Sequence, residues 1–416
     1  MAANLNLSPA EKEILRWHFR LGHLSFRKIQ FLMRTGVLAH SEGARRLHAN
    51  ASKLTSCPMC AACQFGKQKR RPAPGKRSTA VKDRTGVMKN DDLFPGQRIS
   101  VDHFVCSTRG RLLHTMGKED EKRQYSGGAI FVDHASSYIH VVPQVHLNTH
   151  ETIQAKTAFE KHCRDLGILP QSYQCDNSSI FTSEAYTRHL ESFAQVTSFA
   201  GVGAHHHNSV AERSIHTVVS IARTMMLHSA IHWPEVADAK LWPLAILHAV
   251  EMYNHMPNPS TGLSPHDLFT KTRWPHSKFH DFHVWGCPVY VLDKTLSDGM
   301  KLPKWQTRSE RHVFVGLSKK HAMSVPLVLN LDTGKISPQF HIVFDDWFAT
   351  IGTDASKLPD IGSNEWQHLF GDNFYQYPMD EDDANDVEDT TSFQNHEHRQ
   401  RELQIAFDQH AAPPPL

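Results

Sequence analysis

A mixed α/β sheet flanked by helices is the fold class that this sequence predicts, with a small metal-binding module before it. Three observations carry the prediction. Two pairs of soft metal donors stand near the N-terminus, short runs of period two begin at about residue 97, and segments of helical period lie between and after those runs. At 416 residues the chain has room for two or three domains and at least one well-buried core. Hydrophobic residues make up 40% and charged residues 21%, and the longest apolar run falls far short of a bilayer span, which argues against a membrane protein. The opening MAANLNLSPAEKE lacks the apolar centre of a secretory signal. Seven cysteines, three of them at 57, 60 and 63, do not form a secreted disulfide framework, so a reducing, intracellular compartment is expected.

The metal module rests on WHFRLGH (17–23) and CPMCAACQFGK (57–67). His18 and His23, five apart at a helix or helix end, bring two imidazoles within reach of one ion, and the two-residue gap of Cys60 and Cys63 lets both thiolates of a tight turn bind it. Cys57 and Cys60 have the same spacing, so Cys57 competes for a place. In a chain with 31 histidines no lone histidine marks a site; the two pairs together point to Zn²⁺ in a closed, structural set of four.

A basic segment follows, GKQKRRPAPGKRSTAVKDR (66–84), and an acidic one, MDEDDANDVEDT (379–390), offsets it to leave a net charge of only +2. A charge run is usually a solvated linker. Here Lys67, Lys69, Arg70 and Arg71 are also candidates for phosphate contacts, and Lys69–Arg71 is a short cluster that suits nuclear import.

The sheet is built from QRISVDHFV (97–105), GGAIFVDHAS (127–136), SYIHVVPQV (137–145) and QSYQC (171–175), the first two being candidates to pair as neighbours. Between the last two, residues 148–167 read as a helix, with Asn148 and Glu151 as a capping box, Ala155, Phe159 and Cys163 on one face, and Gly167 as its stop. A short helix is expected from Ser183. A long one is expected from Ser209 to Ser229, capped by Asn208 or Ser209, with Ile215, Val218, Ile221, Ala222 and Met225 as its apolar set. Glu212 lies off that stripe, in line with His216, Val219 and Arg223, so Arg213, His216 and Arg223 join the phosphate-contact candidates.

Asp102 falls within one strand, Asp176 at the end of another, and Glu212 follows Asp176 with 35 residues between them. Brought together by the sheet, three carboxylates supply the hard oxygen donors that Mg²⁺ or Mn²⁺ prefers, and two such ions serve in-line phosphoryl transfer.

ISVDHF, FVDHASSYIHVV, CDNSSIF, HHHNSVAER, AILHAVEMYNHMPNPSTGLSPHDLF and DFHVWGCPVYV through FVGL to FHIVFDD, together with WHFRLGH and CAACQFGK, resemble the integrase of copia-type retrotransposons over roughly residues 15 to 348. The resemblance implies an RNase H-like core, a pre-integrase zinc module and a small SH3-like β domain. It divides the chain into a zinc module (1–66), a basic linker (67–95), the core (96–270), the β domain (271–350) and an acidic, poorly ordered tail (351–416). It makes Asp102, Asp176 and Glu212 the catalytic triad, with Asp102 bridging two ions. His18, His23, Cys60 and Cys63 become the zinc ligands, the second cysteine pair being preferred because Gly66-Lys67 follows it as in the family. Asp133 is a rival for the first acid, assigned a supporting role because ISVDHF better matches the family's first motif.

The implied activity is metal-dependent 3′-end processing and strand transfer on double-stranded DNA, by a polynucleotidyl transferase and endonuclease acting as a homo-oligomer in nucleus and cytoplasm. The chain departs from the family in Asn177-Ser178-Ser179 where Asn-Gly-Gly is usual, in His207-Asn208-Ser209 where Gln-Asn-Gly is usual, and in Ser214 where a basic residue is usual. An alternative is a catalytically inactive or host-adopted DNA-binding or assembly protein that keeps the fold. An RNase H-like nuclease shares the acids but explains neither the His/Cys module nor the C-terminal β-rich segment. The chain begins with methionine and ends without a reverse transcriptase, as a polyprotein fragment, an isolated reading frame or a host-adopted copy each would.

Overall fold

The computed structural model describes residues 6–68, 93–113, 123–199, 209–319, 321 and 325–352. Lys69, Arg70, Arg71 and nearly all of the basic segment, the HHHN stretch at 205–208 and all but the first two residues of the acidic tail lie outside the described residues.

Four helices open the chain: α1 (Pro9–Arg20), α2 (Phe26–Arg34), α3 (Glu42–Ala51) and α4 (Ala61–Gly66). At the start of α1 the Ser8 hydroxyl accepts from the Glu11 amide while the Glu11 carboxylate accepts from the Ser8 amide, and Pro9 occupies a first-turn position where its missing N–H is no loss. Ile14, Trp17, Ile29, Leu32 and Leu38 are almost fully buried and form the small core of this module.

The central sheet contains β1 (Ile99–Gly110), β2 (Tyr125–Asp133), β3 (Ile139–Gln144), β4 (Ser172–Cys175) and β5 (Val196–Phe199) in the order β3-β2-β1-β4-β5. The first three strands form an antiparallel meander, whereas β4 runs parallel to β1, and β5 to β4. Parallel neighbours need crossovers rather than hairpins, and α5 (Thr149–Asp165) and α6 (Glu184–Ser192) occupy those connections. Strand alternation then sorts the side chains: Ile99, Val101, Tyr173 and Cys175 share one core with Phe159 and Cys163 of α5 and with Tyr186 and Leu190 of α6. Ser100, Asp102 and Gln174 therefore belong to the opposite face.

The long helix α7 (Ser209–His232) packs against β1 and β2, and α8 (Trp242–His255) against α7 and β3. The side-chain amide of Asn254 on α8 donates to the Ile139 carbonyl at 2.7 Å, and its oxygen accepts from the Ile139 amide at 2.9 Å, which occupies the outer edge of β3. Short α9 (Pro265–Thr270) follows, and its Phe269 ring stacks on Tyr138 at 4.3 Å.

A second five-stranded sheet comprises β6 (Pro288–Leu292), β7 (Ser309–Leu317), β8 (Pro326–Asn330), β9 (Ile336–Pro338) and β10 (Ile342–Phe344), in the order β10-β6-β7-β8-β9. The described residues divide into two compact units. One takes in those up to Val289 with His312–Phe340 and Phe344–Ile351; the other takes in Tyr290–Arg311, His341–Val343 and Gly352. The second carries one helical turn, α10 (Lys294–Ser297), started by the Asp293 side chain on the Thr295 amide. The N-terminal helices do not separate from the first unit.

Local details differ from the sequence expectation in instructive ways. Asn148 does cap α5, accepting from the Glu151 amide at 2.9 Å, but Glu151 does not return the bond. Its carboxylate accepts from the Val145 and His146 amides instead, so the expected capping box becomes a clasp on the preceding loop. Among the described residues, no helix is long and apolar enough to cross a membrane.

Candidate metal centre and carboxylate site

The last turn of α1 carries His18. The chain then turns through Gly22 at φ +59° and His23 at φ +60°, and the His23 amide donates to the His18 carbonyl at 2.7 Å. A left-handed residue other than glycine costs about 1–2 kcal/mol, and here that turn folds the second imidazole back onto the first. The His18 Nδ1–H donates to the Leu24 carbonyl at 2.8 Å, and its ring stacks on Phe26, so Nε2 is left as the lone-pair nitrogen. Cys60 caps α4 and Cys63 lies in its first turn, which points both sulfurs to the same side.

The four donors meet. His18 Nε2 lies 3.2 Å from His23 Nδ1 and 3.3 Å from Cys63 Sγ, and His23 Nδ1 lies 3.3 Å from Cys60 Sγ and 3.7 Å from Cys63 Sγ. A tetrahedral zinc ion with ordinary Zn–N and Zn–S bonds requires donor separations of about 3.3–3.8 Å, so this set of two nitrogens and two sulfurs fits it. Cys57 is not part of the cluster. Hydrogen bonds from Cys63, and then from the surrounding imidazoles, hold the Cys60 thiol well below the usual range, while donation to Cys60 pushes Cys63 up. Lys67, expected at a phosphate, donates to the His23 carbonyl, so its ammonium group secures the metal-site turn from within.

The carboxylates follow a different pattern. Ile99 pairs with Tyr173 and Ser100 with Gln174, and continuing that parallel register sets Asp102 level with Asp176 on the face opposite the α5 core. Both charges bear on Cys175 between them, whose thiol is pushed up to about 12, chiefly by burial. Asp102 Oδ1 accepts from the His103 amide at 2.8 Å, and Asp176 Oδ1 accepts from the Ser178 amide at 3.2 Å, an Asx turn in the segment where glycine was expected. His103 stacks on Phe181 from the same segment and reaches Thr152 Oγ1 at 3.0 Å; burial pushes its pKa down to about 4 despite Asp176.

Glu212 lies in the first turn of α7 and is exposed, as are Arg213, His216 and Arg223 along the helix. Among the described residues the His/Cys set alone gathers three or more such donors to metal-binding spacing, so the structure sets two of the three acids side by side and does not close Glu212 onto them. Asp133 is engaged elsewhere: its carboxylate accepts from the Gly96 amide at 2.9 Å and from the Ser136 amide and hydroxyl at 2.8 and 2.5 Å, tying the β2–β3 turn to the start of β1.

Two features had no sequence signal. Arg20 is 2% exposed at the end of α1; it donates to the Phe282 and His280 carbonyls at 2.8 and 2.6 Å and lies 3.6 Å from Asp346, which also holds His283 and the Val284 amide. Burial opposes ionisation of Asp346, but His283 and Arg20 hold its carboxyl well below the usual range. The other is His228 of α7, buried against His23 with ring centroids 4.8 Å apart.

Residues 2–68 match the family model of the GAG-pre-integrase domain. No curated protein matches the chain. Among solved structures, the catalytic core domain of HTLV-2 integrase in complex with magnesium is similar in its dimeric and trimeric forms, at 18% and 20% identity. Each covers 42% of this chain and 98% of the other, with a TM-score of 0.30. The simian T-cell lymphotropic virus intasome in complex with PP2A regulatory subunit B56 gamma is similar at 13% identity over 81% of this chain and 98% of that one, with a TM-score of 0.36. At these scores the structural matches assign no residue a role.

Proposed function

We propose that this chain is an integrase of the copia type, joining double-stranded DNA ends to a target through an RNase H-like core, with a structural zinc module ahead of it and an SH3-like β domain after it. The observation that carries the reading is the parallel register that levels Asp102 with Asp176 on the sheet face covered by α7, the helix whose first turn carries Glu212. The GAG-pre-integrase match over residues 2–68 supports it independently.

Asp102 and Asp176, joined by Glu212, would hold the catalytic Mg²⁺ or Mn²⁺, and hard carboxylate oxygens suit either ion. Divalent ions bound there supply the Lewis acidity that activates an attacking oxygen and stabilises a leaving one. The protein's own contribution is placement. The β1–β4 register aligns two acids, the Asp176–Ser178 turn fixes the rotamer of one of them, and the His103–Phe181 stack anchors that turn to β1. Arg213, His216 and Arg223 are exposed on α7 and suited to phosphate contacts whose strength falls with salt. His18, His23, Cys60 and Cys63 would hold Zn²⁺ as a structural centre. Action as a homo-oligomer, in nucleus and cytoplasm, belongs to the same proposal.

Purified protein with Mg²⁺, a labelled duplex and a plasmid target is expected to give strand joining that Asp176→Asn reduces by roughly a thousandfold or more, the rate equivalent of about 4 kcal/mol. Joining that survives Asp176→Asn unchanged removes the mechanism. A second reading, a DNA-binding protein without catalysis, is favoured by the position of Glu212 outside the spacing that one ion needs. Salt-sensitive DNA binding with no metal-dependent joining in either protein selects it.

A further inference from the structure

The His/Cys cluster is complete with four donors, yet a fifth polar side chain is buried against it from another part of the fold. His228 stands on α7, 16 residues and about 24 Å of helix beyond Glu212. It is 2% exposed, its ring lies 4.8 Å from that of His23 and 4.3 Å from that of Phe19, and it is close enough to Cys60 for the two to act on one another electrostatically. One turn earlier on α7, Thr224 touches α4 where Gly66 leaves it room. A β-carbon at Gly66 would come within 2.6 Å of Thr224 Oγ1 and 3.1 Å of its α-carbon. The helix that holds the cysteine pair and the helix whose first turn carries Glu212 are therefore in direct contact, and His228 is a buried polar group at that contact.

We propose that His228 is a positioning residue for the metal centre: its imidazole N–H donates to the Cys60 sulfur, holds that sulfur in its ligating position, and so couples metal loading of the N-terminal module to the seating of α7. The inference rests on the zinc reading given above. A metal thiolate keeps enough negative charge to accept an N–H, and outer-sphere donors of this kind orient ligands and tune affinity. Because the donor belongs to α7 rather than to the module, its bond is made only when the two are docked. The coupling is reciprocal: zinc stabilises the docked helix as much as the docked helix stabilises zinc.

The experiment uses the full chain stripped of metal, titrated with Zn²⁺ against a competing chelator, and with Co²⁺ as a spectroscopic probe. His228→Phe keeps a ring and removes the N–H, whereas His228→Gln keeps an N–H donor. His228→Phe is expected to bind zinc about 10–100-fold more weakly than wild type and to shift the sulfur-to-cobalt charge-transfer band, with His228→Gln recovering most of both. Zinc is expected to slow amide exchange along residues 209–232 in wild type and His228→Gln, and to do so less in His228→Phe. Equal affinity and equal protection in His228→Phe overturn the proposal alone. Failure of the wild-type protein to bind zinc overturns the zinc reading and this proposal with it. Where His228→Phe does not fold, His228→Gln is compared with His228→Leu, and equal zinc affinities in those two overturn it.

Discussion

The two groups of candidate metal donors in this protein differ in how far they are assembled. The imidazole and thiol donors of the N-terminal module all lie within 4.8 Å of one another, mostly buried, in a geometry one ion would fit. The carboxylates are arranged only in part, with Asp102 and Asp176 level on adjacent strands and Glu212 exposed at the head of its helix. Charge accounts for the contrast. Hydrogen bonds among imidazole nitrogens and sulfurs draw the first set together, whereas three carboxylates repel, by about 1 kcal/mol per pair at 4 Å even in water. Connectivity adds to it, because the first set consists of two pairs each local in sequence, while the second is drawn from three elements spread over residues 102–212.

The contrast can be broken at its strong end first. Chelation of zinc, or Cys60→Ser, is expected to unfold the module, since structural zinc contributes on the order of 10–16 kcal/mol to small zinc-dependent folds. Loss of exchange protection across residues 6–68 checks this, and a module that keeps its protection without zinc would show that packing alone suffices. Next comes pH. Burial pushes His134 and His266 down to about 4 and His248 to about 3, below their unfolded value near 6.5. The unfolded chain therefore takes up protons that the folded one refuses, and stability falls as pH drops from about 6.5 towards 4, by up to about 1.4 kcal/mol per unit for each such histidine. Denaturant titrations across that range would expose a flat profile if these rings relax to solvent. The smallest effect sharpens the weak end: Asp102→Asn removes one charge of the repelling set and is expected to stabilise the metal-free protein by about 1 kcal/mol while abolishing any rise in melting temperature with Mg²⁺. Destabilisation by that substitution would mean that Asp102 is held by favourable contacts rather than tolerated.

The same contrast explains what could be read in advance. Patterns that act over a few residues were legible: the Asn148 cap, the strand around Asp102, the helix beginning at Ser209 and the His18/His23 pair all stand where period and spacing predicted, whereas spacing left Cys57 open beside Cys60 and the family resemblance chose Cys63. What stayed hidden depends on partners distant in the chain. Nothing near Arg20 announces that it will be buried against Phe282 and Asp346, and His228 is one imidazole among 31 until α7 docks on α4. Glu151 misled for the reverse reason, because its spacing fits a reciprocal cap but the amides of Val145 and His146 lie closer to hand. Lys67 likewise counts as surface charge by composition and is claimed by the His23 carbonyl in the fold.

One small detail reaches further than its size. Gly66 against Thr224, and Gly22, where a β-carbon would come within 2.4 Å of the Met252 side chain, are two keyed points at which the module meets α7 and α8. A body held at two points keeps only the rotation about the line that joins them. A displacement of the N-terminal module is therefore carried to α7, the helix whose first turn holds Glu212.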